Sequence, residues 1–253
     1  MGITAVVGAG AGIGRFLAKK LGAIPFVRGD DPNMLIGVDT IIYCAAKARF
    51  ETPQDDIAAA LEDNLFLLDR ISRVPHKRFV YFSSVDVYPV DAGVHREDEK
   101  LVLEQVRSGY PAFKLMAEAV VLKRCVAPLI LRPTSLFGPG MRPNNIVRLF
   151  NRDPAGLSLR ADATFNCITY DMVAALIEAA YRKGVSGIVN CAAADSVCLR
   201  DLAHEIGYEG DFGIHVYQAP RLSNQKARAL VSGFERSSFE ILKDFFASLQ
   251  HQP

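Results

Sequence analysis

Residues 3–21 read ITAVVGAGAGIGRFLAKKL. The run ITAVV at 3–7 is apolar and rich in β-branched residues, which predicts a short buried strand. Gly8-Ala9-Gly10-Ala11-Gly12-Ile13-Gly14 follows, and then an amphipathic helix through Leu21. A strand, a tight glycine turn and a helix make a cradle for phosphate. Glycine permits positive φ and close approach of a pyrophosphate to the backbone, and the helix N-terminus supplies N–H donors and a positive dipole end. Gly8, Gly12, Ile13 and Gly14 are therefore candidate dinucleotide-binding residues, the bland alternative being a merely tight turn.

Working outward, residues 24–28 (IPFVR) read as a second strand and 39–44 (DTIIYC) as a third, closed by Ala45-Ala46. Thr52-Pro53 offers an N-cap and a proline at the first helical position of a helix to about Arg73. A strand at 77–83, a helix near 109–125 and a strand at 128–132 continue the rhythm. Strands alternating with helices at this spacing predict βαβ units and a parallel sheet covered on both faces. Past Pro133 loops dominate 138–165; helices are expected at 171–183, 198–206 and 237–249, and a strand at 187–192. The expected architecture is α/β: a Rossmann-like, doubly wound parallel sheet with a small C-terminal substrate lobe. The dinucleotide-binding core should span 1–135, and 136–253 should form a lobe interleaved with the end of the sheet.

The 253 residues are 50% hydrophobic and 23% charged, which excludes a mostly disordered chain. Lys and Arg total 29 against 28 Asp and Glu, so a dedicated nucleic-acid binder is not expected. Five cysteines without a CxxC spacing read as small buried hydrophobes, and the five histidines have no metal-ligand spacing, so no metal is expected. No apolar run reaches the length of a membrane span, and the start Gly2-Ile3-Thr4-Ala5 has no signal-peptide pattern. The expectation is a cytoplasmic protein with reduced thiols.

The residue after the second strand usually separates the two nicotinamide cofactors: an acid binds the adenosine ribose, an arginine favours a 2′-phosphate. Val27-Arg28-Gly29-Asp30 offers both, so NAD and NADP stay open, with a slight lean to NADP from Arg28. Ser83-Ser84 ends a strand, and Tyr110-Pro111-Ala112-Phe113-Lys114 opens a helix. Tyr110 and Lys114, at i and i+4, share one face, and Ser108 as N-cap would leave Pro111 in the first turn. A phenol, with a pKa of about 10, is a poor base at neutral pH. A neighbouring ammonium and a cationic nicotinamide stabilise the phenolate. Tyrosine can then exchange a proton with a hydroxyl or carbonyl oxygen as hydride moves, while a serine hydroxyl orients that oxygen.

With these motifs the chain resembles an extended short-chain dehydrogenase/reductase of the NAD-dependent nucleotide-sugar epimerase and dehydratase family. Phe82-Ser83-Ser84-Val85-Asp86-Val87-Tyr88 resembles the family's serine strand end, where the catalytic hydroxyl stands four residues before the tyrosine; this implies Ser84. Tyr110, Lys114 and Glu118 resemble its tyrosine–lysine helix. Arg132-Pro133 and Gly138-Pro139-Gly140 resemble the loop after the next strand. The resemblance implies cofactor contacts at Ala45, Ala46, Asn64, Ser83 and Pro133, besides Tyr110 and Lys114, and Ser135 where an asparagine is common. Departures are plain. Only about ten residues separate the second strand from 39–46, where the family has a further helix and strand. An arginine that holds the substrate diphosphate is replaced by Thr164.

Five arginines (132, 142, 148, 152, 160) and one acid, Asp153, fall between 132 and 160, a composition suited to an anionic substrate. Ser84, Asp86, Ser135, Arg142 and Arg148 are the candidate substrate contacts. Val85-Asp86 stands where the family's dehydratases carry Asp-Glu, which disfavours dehydration. The resemblance thus implies an NAD(P)-dependent oxidoreductase or epimerase acting on a hydroxyl or keto group of a nucleotide sugar, with a homodimer through the tyrosine helix as an option. A non-catalytic cofactor-sensing protein on the same fold is the alternative.

Overall fold

In the computed structural model, which describes residues 2–46, 57–153 and 155–250, the chain runs β1 (Thr4–Val7), α1 (Gly12–Lys20), β2 (Ile24–Phe26), β3 (Thr40–Tyr43), α2 (Ile57–Leu61), α3 (Leu67–Ser72), β4 (Arg78–Phe82), α4 (Gly109–Arg124) and β5 (Leu129–Pro133). It continues through β6 (Ser135–Phe137), α5 (Asn145–Phe150), β7 (Thr164–Phe165), β8 (Cys167–Thr169), α6 (Tyr170–Lys183), β9 (Gly187–Cys191), β10 (Val197–Cys198), α7 (Leu199–Glu205), α8 (Gln225–Leu230) and α9 (Ser238–Gln250). A π-helical turn, Glu62–Phe66, joins α2 to α3.

Six strands form one parallel sheet in the order β2-β1-β3-β4-β5-β9. The expected doubly wound sheet is therefore present. Its strands are mostly apolar because both faces are covered. Val7, Ile41, Tyr43, Phe79, Tyr81 and Ile130 pack with Leu68, Ala117 and Val121 of α3 and α4. Val6, Ile42, Val80, Leu131 and Val189 pack on the other face with Leu17 of α1 and Val173 of α6. The strand order reverses between β1 and β3, and ligands of such sheets sit at that point, beyond the strand C-termini.

The C-terminal residues build a separate apolar cluster around Phe137, Leu149, Phe165, Leu202 and Phe246. There β6 pairs with β8 and β7 with β10, while β9 returns to the main sheet. Gly138 seats this cluster on α6: a Cβ there would lie 2.1 Å from the Tyr170 ring.

Several local expectations change. The second strand stops at Phe26, because the Asp30 carboxylate accepts the Val27 N–H at 2.7 Å and closes a turn. The short link from β2 to β3 holds one 3-10 turn, Pro32–Leu35, capped by Asp31. Within 138–165, α5 is a helix whose N-cap, Asn144, accepts the Val147 N–H at 3.0 Å. Ser108 does occupy the N-cap position of α4, but its side chain makes no capping bond. Thr52-Pro53 lies outside the described residues.

Candidate active site

A cleft of about 960 Å³ runs along the glycine turn at the switch point, from Arg28 and Asp30 beyond β2 to Tyr110. Gly8 and Gly12 hold positive φ, +89° and +51°. A Cβ on Gly14 would lie 2.2 Å from the Gly8 carbonyl oxygen, so only glycine lets α1 start this close to the turn. The first turn of α1 carries no acid, and Ala11 gives it no side-chain cap. Its N–H groups and positive dipole end are thus left to an anion in the cleft. Volume, turn and dipole together fit a dinucleotide.

A second cavity of about 290 Å³ continues the first, sharing Ile13, Cys44, Ala46, Tyr110 and Leu136. β4 delivers Ser83 and Ser84 to it, and α4 delivers Tyr110 and Lys114. Ser84 Oγ donates to Asp86 Oδ2 at 3.0 Å and accepts the Asp86 N–H at 3.2 Å. Lys114 Nζ donates to the Phe82 carbonyl at 2.5 Å and lies 5.6 Å from the Tyr110 ring centroid. Burial lowers Lys114 to about 8, with Cys44 and Glu118 acting the other way. Burial also raises Tyr110 well above the ordinary phenol range, and the Asp86 charge adds to this; Ser84 and Arg142 oppose it. The expected downward pull on Tyr110 therefore does not prevail in the chain alone, because desolvation outweighs it.

Beneath the cavity lies a buried polar network. Arg132 holds Glu118 through Nε at 2.9 Å and Nη2 at 2.7 Å, with the two side chains only 3% and 5% exposed. Ser83 Oγ also donates to Glu118. Arg132 Nη1 donates to the Tyr88 hydroxyl at 2.7 Å, and that hydroxyl donates to Asn190 Oδ1 at 2.9 Å. The network spans β4, α4, β5 and β9.

Gly8, Gly12, Ile13, Gly14, Arg28, Asp30, Ala45, Ala46, Ser83, Ser84, Asp86, Tyr110, Lys114, Pro133, Ser135 and Arg142 all line the joined cleft. Asn64 and Arg148 do not. Asn64 Nδ2 donates to the Ala60 carbonyl at 2.9 Å, and Arg148 faces Asp153 at 3.9 Å. Arg28 pairs with Asp63 across the β2 end of the cleft. The arginine-rich stretch also resolves differently from expectation. Arg132 is committed to Glu118, Arg160 to Asp162 at 2.8 Å and Arg152 to the Ile206 carbonyl at 2.9 Å. Of the five, Arg142 alone lines the cleft among the described residues.

Tyr217 was not anticipated. It enters the smaller cavity from the C-terminal lobe, beside Ser135, and burial and the Asp86 charge raise its phenol. Thr164 fixes that segment: its N–H donates to the Tyr217 carbonyl at 3.2 Å, and its Oγ1 donates to Gln218 Oε1 at 2.7 Å. No motif marks Tyr217 in the sequence; only the parallel pairing of Thr164 with Gln218 brings it in.

Residues 33–153 match the family model of the NAD dependent epimerase/dehydratase family. No curated protein sequence matches the chain. Among solved structures, MoeE5 in complex with UDP-glucose and NAD aligns with a TM-score of 0.81 at 19% identity, over 98% of this chain and 99% of that one. UDP-glucuronic acid 4-epimerase from Bacillus cereus, in complex with UDP-glucuronic acid and NAD, aligns with a TM-score of 0.76 at 18% identity, over 97% and 99%. A dTDP-4-dehydrorhamnose reductase from Clostridium acetobutylicum aligns with a TM-score of 0.80 at 18% identity, over 98% and 99%. At these identities the structural likeness shows a shared fold.

Two outcomes follow from the site's electrostatics. Glu118→Ala strands the Arg132 guanidinium and should cost about 3–5 kcal/mol in denaturant unfolding, whereas Glu118→Leu with Arg132→Met should cost less. Lys114 binds its proton more weakly folded, at about 8, than in the unfolded chain. Between about pH 8 and about pH 10 the unfolded state therefore holds more protons, and stability rises with pH. The stability of wild type relative to Lys114→Met should grow across that window; a flat difference would contradict the buried ammonium.

Proposed function

We propose that this chain, whose residues 33–153 form an NAD dependent epimerase/dehydratase family domain, is an NAD-dependent oxidoreductase or epimerase acting on a hydroxyl or keto carbon of a nucleotide sugar. One observation carries the reading: Ser84, Tyr110 and Lys114 converge on a cavity continuous with the glycine-turn cleft. The solved relatives that hold NAD with UDP-glucose or UDP-glucuronic acid support the cofactor and the substrate class.

The Gly8–Gly14 turn and the α1 N-terminus hold the pyrophosphate. At the adenosine end Asp63 neutralises Arg28, and Asp30 and Glu62 share the wall. Arg70 on the same wall is likewise paired, with Glu62, so an added 2′-phosphate would meet both arginines already neutralised and the Asp30 carboxylate beside them, which favours NAD over NADP. Bound NAD supplies the acceptor or donor of hydride. Lys114, held by the Phe82 carbonyl, would hold the ribose of the nicotinamide half. Tyr110 exchanges the proton at the reacting oxygen, and Ser84 hydrogen-bonds that oxygen. Arg142 takes the anionic part of the substrate, and Tyr217 closes the lobe side. Exposed Phe66, Met116 and Leu122, beside and along α3 and α4, give a homodimer its apolar contact.

The three groups in one cavity weigh against a pure sensor, which has no use for a proton donor at the reacting end. Tyr110→Phe should keep NADH binding, read by fluorescence, within about twofold. It should lower turnover of UDP- and dTDP-sugars by about 10²–10⁴-fold. Unchanged turnover would remove Tyr110 from the reaction.

A further inference from the structure

The smaller cavity carries a single acid. Asp86, half-buried in the turn after β4, lines it; among the described residues no other Asp or Glu, and no Arg, does so. The turn fixes where this carboxylate stands. The Asp86 N–H donates to Ser84 Oγ at 3.2 Å and caps the 3-10 turn Val85–Val87, and Asp86 Oδ2 accepts the Ser84 hydroxyl at 3.0 Å. The other oxygen, Oδ1, accepts no hydrogen bond from the described residues. The charge reaches the opposite walls: burial raises the phenols of Tyr110 on α4 and Tyr217 in the C-terminal lobe, and the Asp86 carboxylate adds to both.

The nearby cations are committed or stand elsewhere. Lys114 Nζ donates to the Phe82 carbonyl at 2.5 Å and its residue is 3% exposed. Arg132 is held by Glu118, and Arg107 donates to the Gln218 carbonyl at 3.3 Å. Arg142 lines the larger cleft and not the smaller cavity. A substrate carboxylate entering the smaller cavity would meet a like charge, whereas a hydroxyl would meet an open acceptor. We propose that Asp86 selects the sugar: it takes a neutral hexosyl group, whose hydroxyl donates to Oδ1, and turns away a hexuronosyl group. The inference rests on the activity proposed above and narrows its substrate class. The carboxylate of a hexuronic acid is borne on the ring carbon next to C4, so a pyranose held in about 290 Å³ cannot keep it far from Asp86. Asp86 decides which sugar binds; proton exchange stays with Tyr110.

Isothermal titration of the NAD-loaded protein with paired ligands tests this. The pairs are UDP-glucose with UDP-glucuronic acid, UDP-galactose with UDP-galacturonic acid, and the dTDP counterparts of each. For any pair that binds the wild type at low salt, the neutral member should be about 10–100-fold tighter. Asp86→Asn keeps the backbone cap and removes the charge. The hexuronosyl ligand should bind this variant at least about fivefold tighter than it binds wild type, bringing the pair within about threefold. A residue that merely supported the turn would loosen both sugars and tighten neither. Equal binding of a pair by wild type, a preference for the uronate, or no tightening of the uronate in Asp86→Asn would each overturn the inference and leave the proposed function standing. Wild-type protein that holds NAD but binds none of these ligands would remove the proposed function, and this inference with it.

Discussion

The contact between Glu118 and Arg132 fixes where Ser84, Tyr110 and Lys114 stand. Both charges are almost fully withdrawn from water, and such a pair is tolerated only when every donor and acceptor is used. Here Arg132 spends Nε and Nη2 on Glu118 and Nη1 on Tyr88, and Glu118 also takes the Ser83 hydroxyl. Tyr110, Lys114 and Glu118 lie at four-residue steps on one helix, so they share a face. Pinning Glu118 to β5 pins Tyr110 and Lys114 against the end of β4. Ser83, held by the same carboxylate, delivers its neighbour Ser84 to the cavity.

That arrangement places an ammonium and a phenol in a poorly solvated spot, which shifts Lys114 down and Tyr110 up. Neither shift favours folding. Lys114 thereby gives up its proton more easily, while Tyr110 holds its own more tightly until an opposite charge stands beside it. The polar end of the cleft is completed from far along the chain, by Arg142 beyond β6 and Tyr217 before α8.

The fold was legible because its signals are local. An apolar strand, a glycine turn and a helix at 3–21 orient the sheet, and the Tyr110–Lys114 spacing puts both side chains on one helix face, which the structure sets at one cavity with Ser84. What escaped depends on contacts distant in sequence. Arg28 and Asp30 do line the cleft, but the partners they take there are not legible: Arg28 is paired with Asp63, and Asp30 closes its own turn. The arginine run looked like a substrate platform, yet four of its five members are committed elsewhere, as partner geometry and not composition decides. Tyr217 arrives by pairing with β7, a strand of two residues that has no periodicity to read. The helix start expected at Thr52-Pro53 lies outside the described residues.

The account stands or falls on whether the groups around Tyr110 move hydride between NAD and a sugar. Absorbance at 340 nm after rapid mixing of the NAD-loaded protein with UDP-glucose, UDP-glucuronic acid and dTDP-sugars reads this directly. The account predicts a rise with at least one of them that is absent in Tyr110→Phe. Binding of both cofactor and sugar by the wild-type protein, with no change at 340 nm and no altered sugar product, would contradict it.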